Sequence, residues 1–477
     1  MGVDPGASPS VEGVIPPRLR PVLDEVRPLA EAFAAADRTL YLVGGIVRDQ
    51  LLGRELRDGD IDLTTDATPD ETKAIVAPLA DAVWSQGERF GTIGVRVGDR
   101  PYEITTHRAE SYAPDSRKPE VAFGTDVRED LARRDFTVNA MALSLSQAEP
   151  ELVDPFGGAA DLAAGRLRTP LGPEVSFTDD PLRMLRAARF IAGYGLEPEP
   201  ELVAAVRAHA GRLEIVAAER IRDELDKLLV TEDPSAGLWF VVDTGLADLF
   251  LPELPAMRLE QDPIHHHKDV LAHTIAVTAK TRPIRLLRLA ALLHDVGKPK
   301  TRSITDGGVT FHHHEVVGAR MARDRMQALR YSTDDVAVVR KLVYLHLRFH
   351  TYKMGWSDSA VRRFVRDAGD ELDLLVELTR CDCTTRNARK AARLARRMDE
   401  LEERIAALAA QEELAAIRPD LDGRQVMDHL GVPPGRVVGD ALDHLLEVRL
   451  DEGPMSAEDA FARLDAWWAE HRSAYEA

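Results

Sequence analysis

Apolar residues recur at helical spacing over residues 22–36, at Val22, Leu23, Val26, Leu29, Ala30 and Phe33, and predict an amphipathic helix. The pattern then changes. Tyr41-Leu42-Val43 is an apolar strand that runs into Gly44-Gly45, and a helix is expected to open near Ile46. A second strand carries Asp60-Ile61-Asp62 and ends over Leu63–Ala67. Thr68-Pro69-Asp70-Glu71 is a helix start, for a helix over 70–80. A turn from Gly87 leads into a strand through Val97, and residues 101–108 alternate apolar and polar as a further strand. Elements in that order, without a repeating βαβ unit, predict a small mixed sheet with helices on one side.

Residues 109–125 hold Pro114 and Pro119 among polar side chains, which predicts a mobile loop. Structure resumes over 126–145, and Asp154-Pro155-Phe156-Gly157-Gly158 reads as a connecting turn for which a structural role suffices. From Glu174 the pattern is helical almost to the end of the chain. Ser456 caps the last helix, and Ala457–Trp468 keeps an apolar periodicity. The expected fold class is therefore α+β, a small mixed-sheet head followed by all-α segments.

Composition narrows this picture in three ways. A length of 477 residues suggests about three domains on a prior of ~150 residues each. The two cysteines, Cys381 and Cys383, exclude a disulfide framework and point to a reducing, cytoplasmic setting. Met1 to Pro21 is rich in Pro, Gly and Ser without an apolar core, so a disordered tail is expected there and not a signal peptide. No run approaches the ~18 apolar residues that span a bilayer, so no membrane contact is expected. The net charge of −19 confines any RNA contact to discrete basic faces.

Several residue groups carry candidate chemistry. Asp60 and Asp62 lie two apart on a strand, so both project from one face, and a divalent cation between them would relieve their repulsion. The Gly44-Gly45 turn lets backbone N–H groups approach a phosphate, with Arg48 and Asp49 on the following helical turn. Arg133-Arg134-Asp135 precedes Phe136-Thr137-Val138-Asn139, an unusual combination that by its residues alone reads as a salt-bridged helix end. Asp179 or Asp180 can cap a helix that has Pro181 at its first turn, with Arg183 and Arg186 on one face.

Of fifteen histidines, ten fall between His265 and His350. His273 lies in a helical pattern, and an apolar helix ends by presenting His294 and Asp295 together before stopping at Gly297. With Asp382 these are suitable ligands for a divalent metal. The triplets at 265–267 and 312–314 read equally well as polar surface. Arg386, Arg389, Lys390, Arg393, Arg396 and Arg397 recur at helical spacing without an acid among them. That stripe is a solvated helix face or, in so acidic a chain, an RNA-backbone contact.

Together these motifs resemble the class II tRNA nucleotidyltransferase and poly(A) polymerase family, of the bacterial type with an HD domain. The likeness rests on Gly44-Gly45-x-Val47-Arg48-Asp49, Asp60-x-Asp62, Arg133-Arg134-Asp135-x-Thr137-x-Asn139-Ala140, Asp179-Asp180-x-x-Arg183 and the segment Ala217–Leu225, over roughly residues 38–385. Asp179 stands where the family has Glu. The second part resembles the HD metal-dependent phosphohydrolase domain through His273, His294, Asp295 and Asp382.

The resemblance implies a head like the DNA polymerase beta catalytic fold over 22–165 and a helical neck over 166–255. An HD domain over 256–385 and a helical, RNA-binding C-terminal region over 386–477 follow. Asp60 and Asp62 are then catalytic ligands of two Mg²⁺ ions, with Glu103 as third carboxylate. Gly44, Gly45, Arg48 and Arg134 would seat the triphosphate beside Asp49, while Asp135 and Asn139 shape the pocket. Asp180 and Arg183, with Arg186 on the same face, would select CTP or ATP, and Glu219 with Arg220 would brace that helix. The HD site would take a divalent metal, Ni²⁺ or Mn²⁺ among the candidates.

The implied activity is addition of C, C and A to the tRNA 3′ end from CTP and ATP. A poly(A) polymerase, or an A-adding or CC-adding tRNA enzyme, shares the same motifs. A third reading is an HD phosphohydrolase whose head only binds nucleotide, and the Asp60/Asp62 pair speaks against it.

Overall fold

The computed structural model describes residues 17–54, 61–111, 120–146, 150–259, 269–305, 308–351, 356–383, 388–412 and 417–475. The chain forms two compact units, Met1–Leu228 with Ala236–Leu249, and Leu229–Ser235 with Phe250–Ala477.

Nine described strands span residues 40–153 of the first unit: β1 (Leu40–Val43), β2 (Ile61–Thr65), β3 (Ala82–Trp84), β4 (Thr92–Val97), β5 (Arg100–Thr106), β6 (Arg108–Ser111), β7 (Glu120–Phe123), β8 (Ala142–Ser144) and β9 (Leu152–Val153). Seven form one sheet in the order β3-β4-β5-β2-β1-β8-β9, while β6 and β7 pair separately. Only β2 and β5 run parallel, so the sheet is mixed. Period-two alternation divides its two faces. Leu42, Leu63, Ile104 and Ile93 stand in register across β1, β2, β5 and β4, and all are buried. Helices α1 (Arg20–Ala35) and α3 (Pro69–Val76) pack on β1, β4 and β5 and supply Val22, Val26, Leu29, Phe33 and Val76 to the core. The next row, Asp62, Glu103, Gly94 and Trp84, must face the other way.

Two expectations need correction. Residues 109–125 are not a loop throughout, because Arg108–Ser111 and Glu120–Phe123 form an antiparallel pair. Each strand is four residues long, and Arg108–Ser111 is mostly polar, so pairing with its partner, not local pattern, makes it a strand. The proline-bearing centre, 112–119, lies outside the described residues. The helix expected over 70–80 stops at Val76, two residues before Pro78, which has no N–H with which to continue the helical hydrogen-bond ladder. The freed segment turns into β3, a strand too short for a sequence pattern to reveal.

Helix α2 (Gly45–Leu51) follows β1, with Gly44 as its cap at a φ of +75°. After α4 (Val127–Ala132) and α5 (Gly158–Ala164), the chain becomes mainly helical through α6 (Pro173–Asp179), α7 (Leu182–Tyr194), α8 (Pro200–His209) and α9 (Ala218–Leu229). A parallel pair of two-residue strands, Arg166–Leu167 with Glu197–Pro198, interrupts the helices.

The remaining helices are α10 (Ser235–Asp243), α11 (Ala247–Phe250), α12 (Glu253–Ala256), α13 (Val270–Lys280), α14 (Arg285–Leu293), α15 (Lys298–Thr301), α16 (His314–Ala328), α17 (Thr333–Leu345), α18 (Arg348–Thr351), α19 (Asp358–Ala368), α20 (Leu372–Asp382), α21 (Ala388–Gln411), α22 (Gly423–Leu430), α23 (Arg436–Glu452) and α24 (Ala457–His471). Leu287 to Leu293 on α14 are all buried, and α13, α17 and α20 pack around them. Within that run the Arg288 guanidinium is satisfied by the carbonyls of Leu229, Thr231, Glu232 and Thr281. Val426, Val438, Leu445, Leu464 and Trp467 form a separate core for α22, α23 and α24, and Ser456 caps α24 by accepting from Asp459 N. Among the described residues no helix is long and apolar enough to cross a membrane.

The segment read as a connecting turn is a brace. Asp154 accepts from the N–H groups of Gly158 and Ala159, and Asp161 accepts from Thr137 Oγ1 and Arg168. Gly158 itself packs so closely on the backbone of Thr137 that a Cβ would stand 2.1 Å from its carbonyl oxygen. Gly158→Ala is therefore expected to destabilise the first unit by about 1–3 kcal/mol through overpacking. Thermal unfolding that matches the wild type would refute the close packing.

Candidate active site and metal centre

Asp62 and Glu103 are directly opposite one another on the parallel pair β2 and β5. Strands lie about 4.8 Å apart, so two carboxylates share the exposed face of the sheet at a separation suited to a divalent cation. Asp60 lies outside the described residues. A Cβ on Gly44 would stand 3.0 Å from Arg134 Nη1 and 3.6 Å from Asp62 Oδ2, so guanidinium and carboxylate converge on the glycine turn. Arg134 is held there by Asp130, 3.3 Å away, which also takes Arg133 at 2.8 Å. Burial would raise the Asp130 carboxyl, but the two arginines outweigh it and keep the group below the usual carboxylate range.

Arg48 reaches the Gly45 side of this turn, where a Cβ would stand 3.3 Å from its Nη2, but its guanidinium is held from within. It is only 6% exposed, and its guanidinium donates to Asn139 Oδ1 and the Tyr194 hydroxyl, pairs with Asp49 at 2.9 Å and stacks 4.1 Å over the Tyr194 ring. Asn139 donates onward to Asp135 at 2.9 Å, Asp135 accepts from Arg186 at 2.5 Å, and Glu224 pairs with Arg186 and Arg189. Arg48 and Arg186, both expected against the nucleotide, are thus directed into one internal chain that ties α2 to α7 and α9. Guanidinium groups drawn inward demand acid partners, whereas Arg134 Nη1 stays against the Gly44 turn. Glu224 was missed in favour of Glu219. Its signal was available, since it sits beside Ile221, Leu225 and Leu228 on the buried face of α9.

Asp180, just before α7, accepts from Leu182 N at 3.1 Å, and its other oxygen accepts from Arg220 at 3.0 Å, while the N-cap position itself is Pro181. Arg183, one turn on, donates to Ser176 Oγ and to the Arg133 carbonyl. Glu103, Arg133, Asp180, Arg183 and Arg220 border one cavity of about 620 Å³, which therefore joins the carboxylate face of the sheet to the start of α7.

In the second unit His273, His294, Asp295 and Asp382 come together as expected. His273 Nε2 is 2.9 Å from Asp382 Oδ1, and His294 Nε2 is 3.2 Å from Asp295 and 3.4 Å from Asp382. Two histidines left unassigned complete the cluster. His314 Nε2 lies 3.4 Å from Asp295 Oδ1, and the His346 ring is 5.3 Å from those of His294 and His314. His314 belongs to the triplet 312–314 whose surface reading was equally open, and only the packing of α16 against α17 turns it inward.

His294, His314 and His346 repeat one device. Each donates Nδ1–H to the carbonyl three residues earlier, Ala291, Phe311 and Val343, which leaves Nε2 as the atom that faces the cluster. All three Nε2 atoms are buried without a hydrogen-bond partner. Ligand atoms of His273, His294 and Asp295, and again of Asp295, His314 and His346, lie within 4.8 Å of one another. The donor set fits a divalent metal. Burial would lower the His294 pKa, yet Asp295 and Asp382 hold it at about 10, while burial, reinforced by His294, pushes His346 down to about 3. The Lys298 ammonium lies 2.6 Å from Asp295.

Of the basic stripe, Arg389, Arg393 and Arg396 are exposed on α21. Lys390 lies on the same helix, and Arg386 is outside the described residues. Arg397 departs from the stripe, half-buried with its guanidinium 5.3 Å over the Phe349 ring. A helix face 100° wide does not hold every cation of a run, and this one meets the core.

Comparison with known proteins gives three family matches in chain order. Residues 40–168 match the poly A polymerase head domain, 195–257 the probable RNA and SrmB-binding site of polymerase A, and 269–411 the HD domain. The A-adding tRNA nucleotidyltransferase of Deinococcus radiodurans is 34% identical over 440 residues, 89% of this chain and 95% of that protein. The CCA-adding enzyme of Bacillus velezensis is 40% identical over 231 residues, 48% of this chain and 55% of its own. Among solved structures, the Bacillus stearothermophilus CCA-adding enzyme in complex with CTP aligns with a TM-score of 0.66 at 24% identity, over 96% of this chain and 99% of that one. The Thermotoga maritima CCA-adding enzyme complexed with tRNA aligns at 0.59 and 19% identity, over 96% and 97%. These two establish a shared fold.

The internal chain has a measurable consequence. Burial would raise the Asp135 carboxyl, but Arg186 and the Asn139 hydrogen bond hold it far below the ordinary range. Such a depressed group contributes stability in full above its unfolded pKa of ~3.9, and that contribution is lost as pH falls toward the folded value. Asp135→Asn is expected to cost about 3 kcal/mol at pH 7, by leaving Arg186 without its main acid partner. In denaturant titrations the gap from wild type should narrow below pH ~4. A gap that is constant across pH would refute the ion-pair account.

Proposed function

Because the chain belongs to the CCA-adding enzyme and poly(A) polymerase family and carries an HD domain, it is a nucleotidyltransferase, and we propose that it adds C, C and A to the 3′ end of tRNA from CTP and ATP. One observation carries the reading: a single cavity joins the Asp62–Glu103 carboxylate face to the Asp180–Arg183 pair, so reaction and base selection share one space.

In this reading Asp60, Asp62 and Glu103 hold Mg²⁺. When bound, Mg²⁺ would lower the pKa of the RNA 3′-hydroxyl and offset charge on the departing pyrophosphate. Arg134, braced by Asp130, supplies the counter-charge for the triphosphate next to the Gly44 turn, where the missing side chain leaves room for phosphate oxygens. Asp180 accepts and Arg183 donates hydrogen bonds, a pattern that suits the base edges of both cytosine and adenine. Arg220 and Leu182 N hold the Asp180 carboxylate in one orientation, so the base is read by a fixed group without a nucleic-acid template. The exposed arginines of α21, with Arg386 and Lys390, are the candidate contact for the RNA backbone.

A narrower reading, addition of A alone, is favoured by the near full-length likeness to an A-adding enzyme. Incubation with tRNA lacking its 3′ CCA, given labelled CTP and ATP separately and together, separates the two. Successive C, C and A addition is expected. Addition of A only to tRNA that already ends in C-C supports the narrower activity, long A tails support a poly(A) polymerase, and no incorporation refutes the transferase. Asp62→Ala should slow incorporation by roughly 10²–10⁴-fold, the effect of losing metal-assisted charge stabilisation.

For the HD domain we assign a divalent metal to His273, His294, Asp295 and Asp382, with His314 and His346 completing its surroundings, as the basis of a phosphohydrolase activity. Elemental analysis should find less Ni²⁺ or Mn²⁺ retained by His294→Ala than by wild type. Equal metal content, or phosphohydrolase activity that the substitution leaves unchanged, would refute the assignment.

A further inference from the structure

The row that carries Asp62 and Glu103 does not end with them. Glu103 on β5 is in register with Gly94 on β4, and Gly94 with Trp84 on β3. Residues in register across a sheet point to the same face, so Trp84 belongs to the carboxylate face two strands beyond Glu103, about 10 Å along the sheet. The intervening position is a glycine, and the indole lies down over it. A Cβ at Gly94 would stand 1.8 Å from Trp84 Nε1 and 2.0 Å from Cε2. The ring therefore occupies the space that a side chain on β4 would take, and it leans across β4 toward the Glu103 side of the row.

Trp84 is 39% exposed, an unusual state for the largest apolar side chain when a glycine cradle is there to receive it. It borders the same cavity as Glu103, Asp180 and Arg183, which Phe90 also lines. The two sides of that cavity differ in kind. The start of α7 offers directed donors and acceptors, which discriminate between bases. The β3–β4 side offers an aromatic plane, which does not, since every base has a π-face.

From this juxtaposition we infer that Trp84, seated on Gly94, is the stacking platform for the 3′-terminal base of the RNA acceptor. The inference rests on the nucleotidyl-transfer reading and adds to it the location of the second substrate. An enzyme that extends an RNA end repeatedly meets a different terminal base after each addition. A stacking surface holds every such base in one place, at the distance from the carboxylates that the strand spacing sets. Hydrogen-bond selection at that position would reject some of them. The incoming nucleotide, which must be selected, has the Asp180 and Arg183 side.

Steady-state kinetics of the full-length protein separates the two substrates. With a tRNA transcript ending in C-C and ATP, Trp84→Ala is expected to raise KM for the RNA by roughly 5- to 150-fold, the range spanned by loss of one base–aromatic stack. KM for ATP should stay within about twofold, and Trp84→Phe should recover most of the loss. Gly94→Ala should reproduce the defect with the tryptophan still present, because its methyl group displaces the ring. Titrating the transcript without nucleotide should quench tryptophan emission in the wild type more than in Trp84→Phe. A rise in KM for ATP with an unchanged KM for RNA would overturn the inference and put the nucleotide on the indole. Unchanged constants for both substrates would overturn it too, and leave Trp84 a surface residue of β3. If the wild type incorporates no nucleotide, the transferase reading fails, while the quenching titration still reports whether an RNA end stacks on Trp84.

Discussion

The strict alternation of sides along β2, β5 and β4 is the constraint on which this molecule depends. Leu42, Leu63, Ile104 and Ile93 must all reach the core beneath α1 and α3, and this pins the register of the central strands. Once that apolar row is set, Asp62 and Glu103 have no choice but to stand side by side on the opposite face, with Gly94 and Trp84 continuing the line. Hydrophobic burial thus sets the carboxylate spacing. A slip of one residue in β5 would bury Glu103 and expose Ile104, at a cost in desolvation that the core could not offset.

A second organising feature is the treatment of arginine. Four guanidinium groups near the carboxylate face, those of Arg48, Arg134, Arg186 and Arg189, are anchored by Asp49, Asp130, Asp135 and Glu224. Three of the four are spent inside the unit, holding α2, α7 and α9 together around Asn139 and Tyr194. Arg134 is brought against Gly44, while Arg48 passes Gly45 on its way inward. Positive charge is therefore delivered to one place by a frame of ion pairs. The Asp180 carboxylate is oriented in the same manner, from α9 through Arg220. The second unit treats its histidines alike, each fixed through Nδ1 by a backbone carbonyl so that Nε2 is aimed inward.

Much of this was legible before any coordinates. The sheet head, the helical remainder and the gathering of His273, His294, Asp295 and Asp382 follow from periodicity, turn residues and ligand chemistry, together with the family resemblance. Strand β3 was not legible, because three residues carry no usable period. The pair β6 and β7 was masked by the shortness of its strands and by the polar, proline-bearing sequence between them, and Glu224 was overshadowed by its neighbours in the same motif. His314 looked like part of a surface triplet. The internal partners of Arg48 and Arg186 were not legible either, since a motif gives residue type and spacing but not which way a long side chain turns.

What the sequence determines by itself is therefore local and periodic: which strands alternate, where Gly44 permits a left-handed turn, which helices are capped and how chemically competent residues are spaced along the chain. These depend on interactions within a few residues. What only the tertiary structure decided is adjacency between distant segments. Asp62 meets Glu103, Trp84 meets Gly94, and Asp180 meets Arg220 because buried apolar surface fixes strand register and helix packing, and no short-range signal records that outcome.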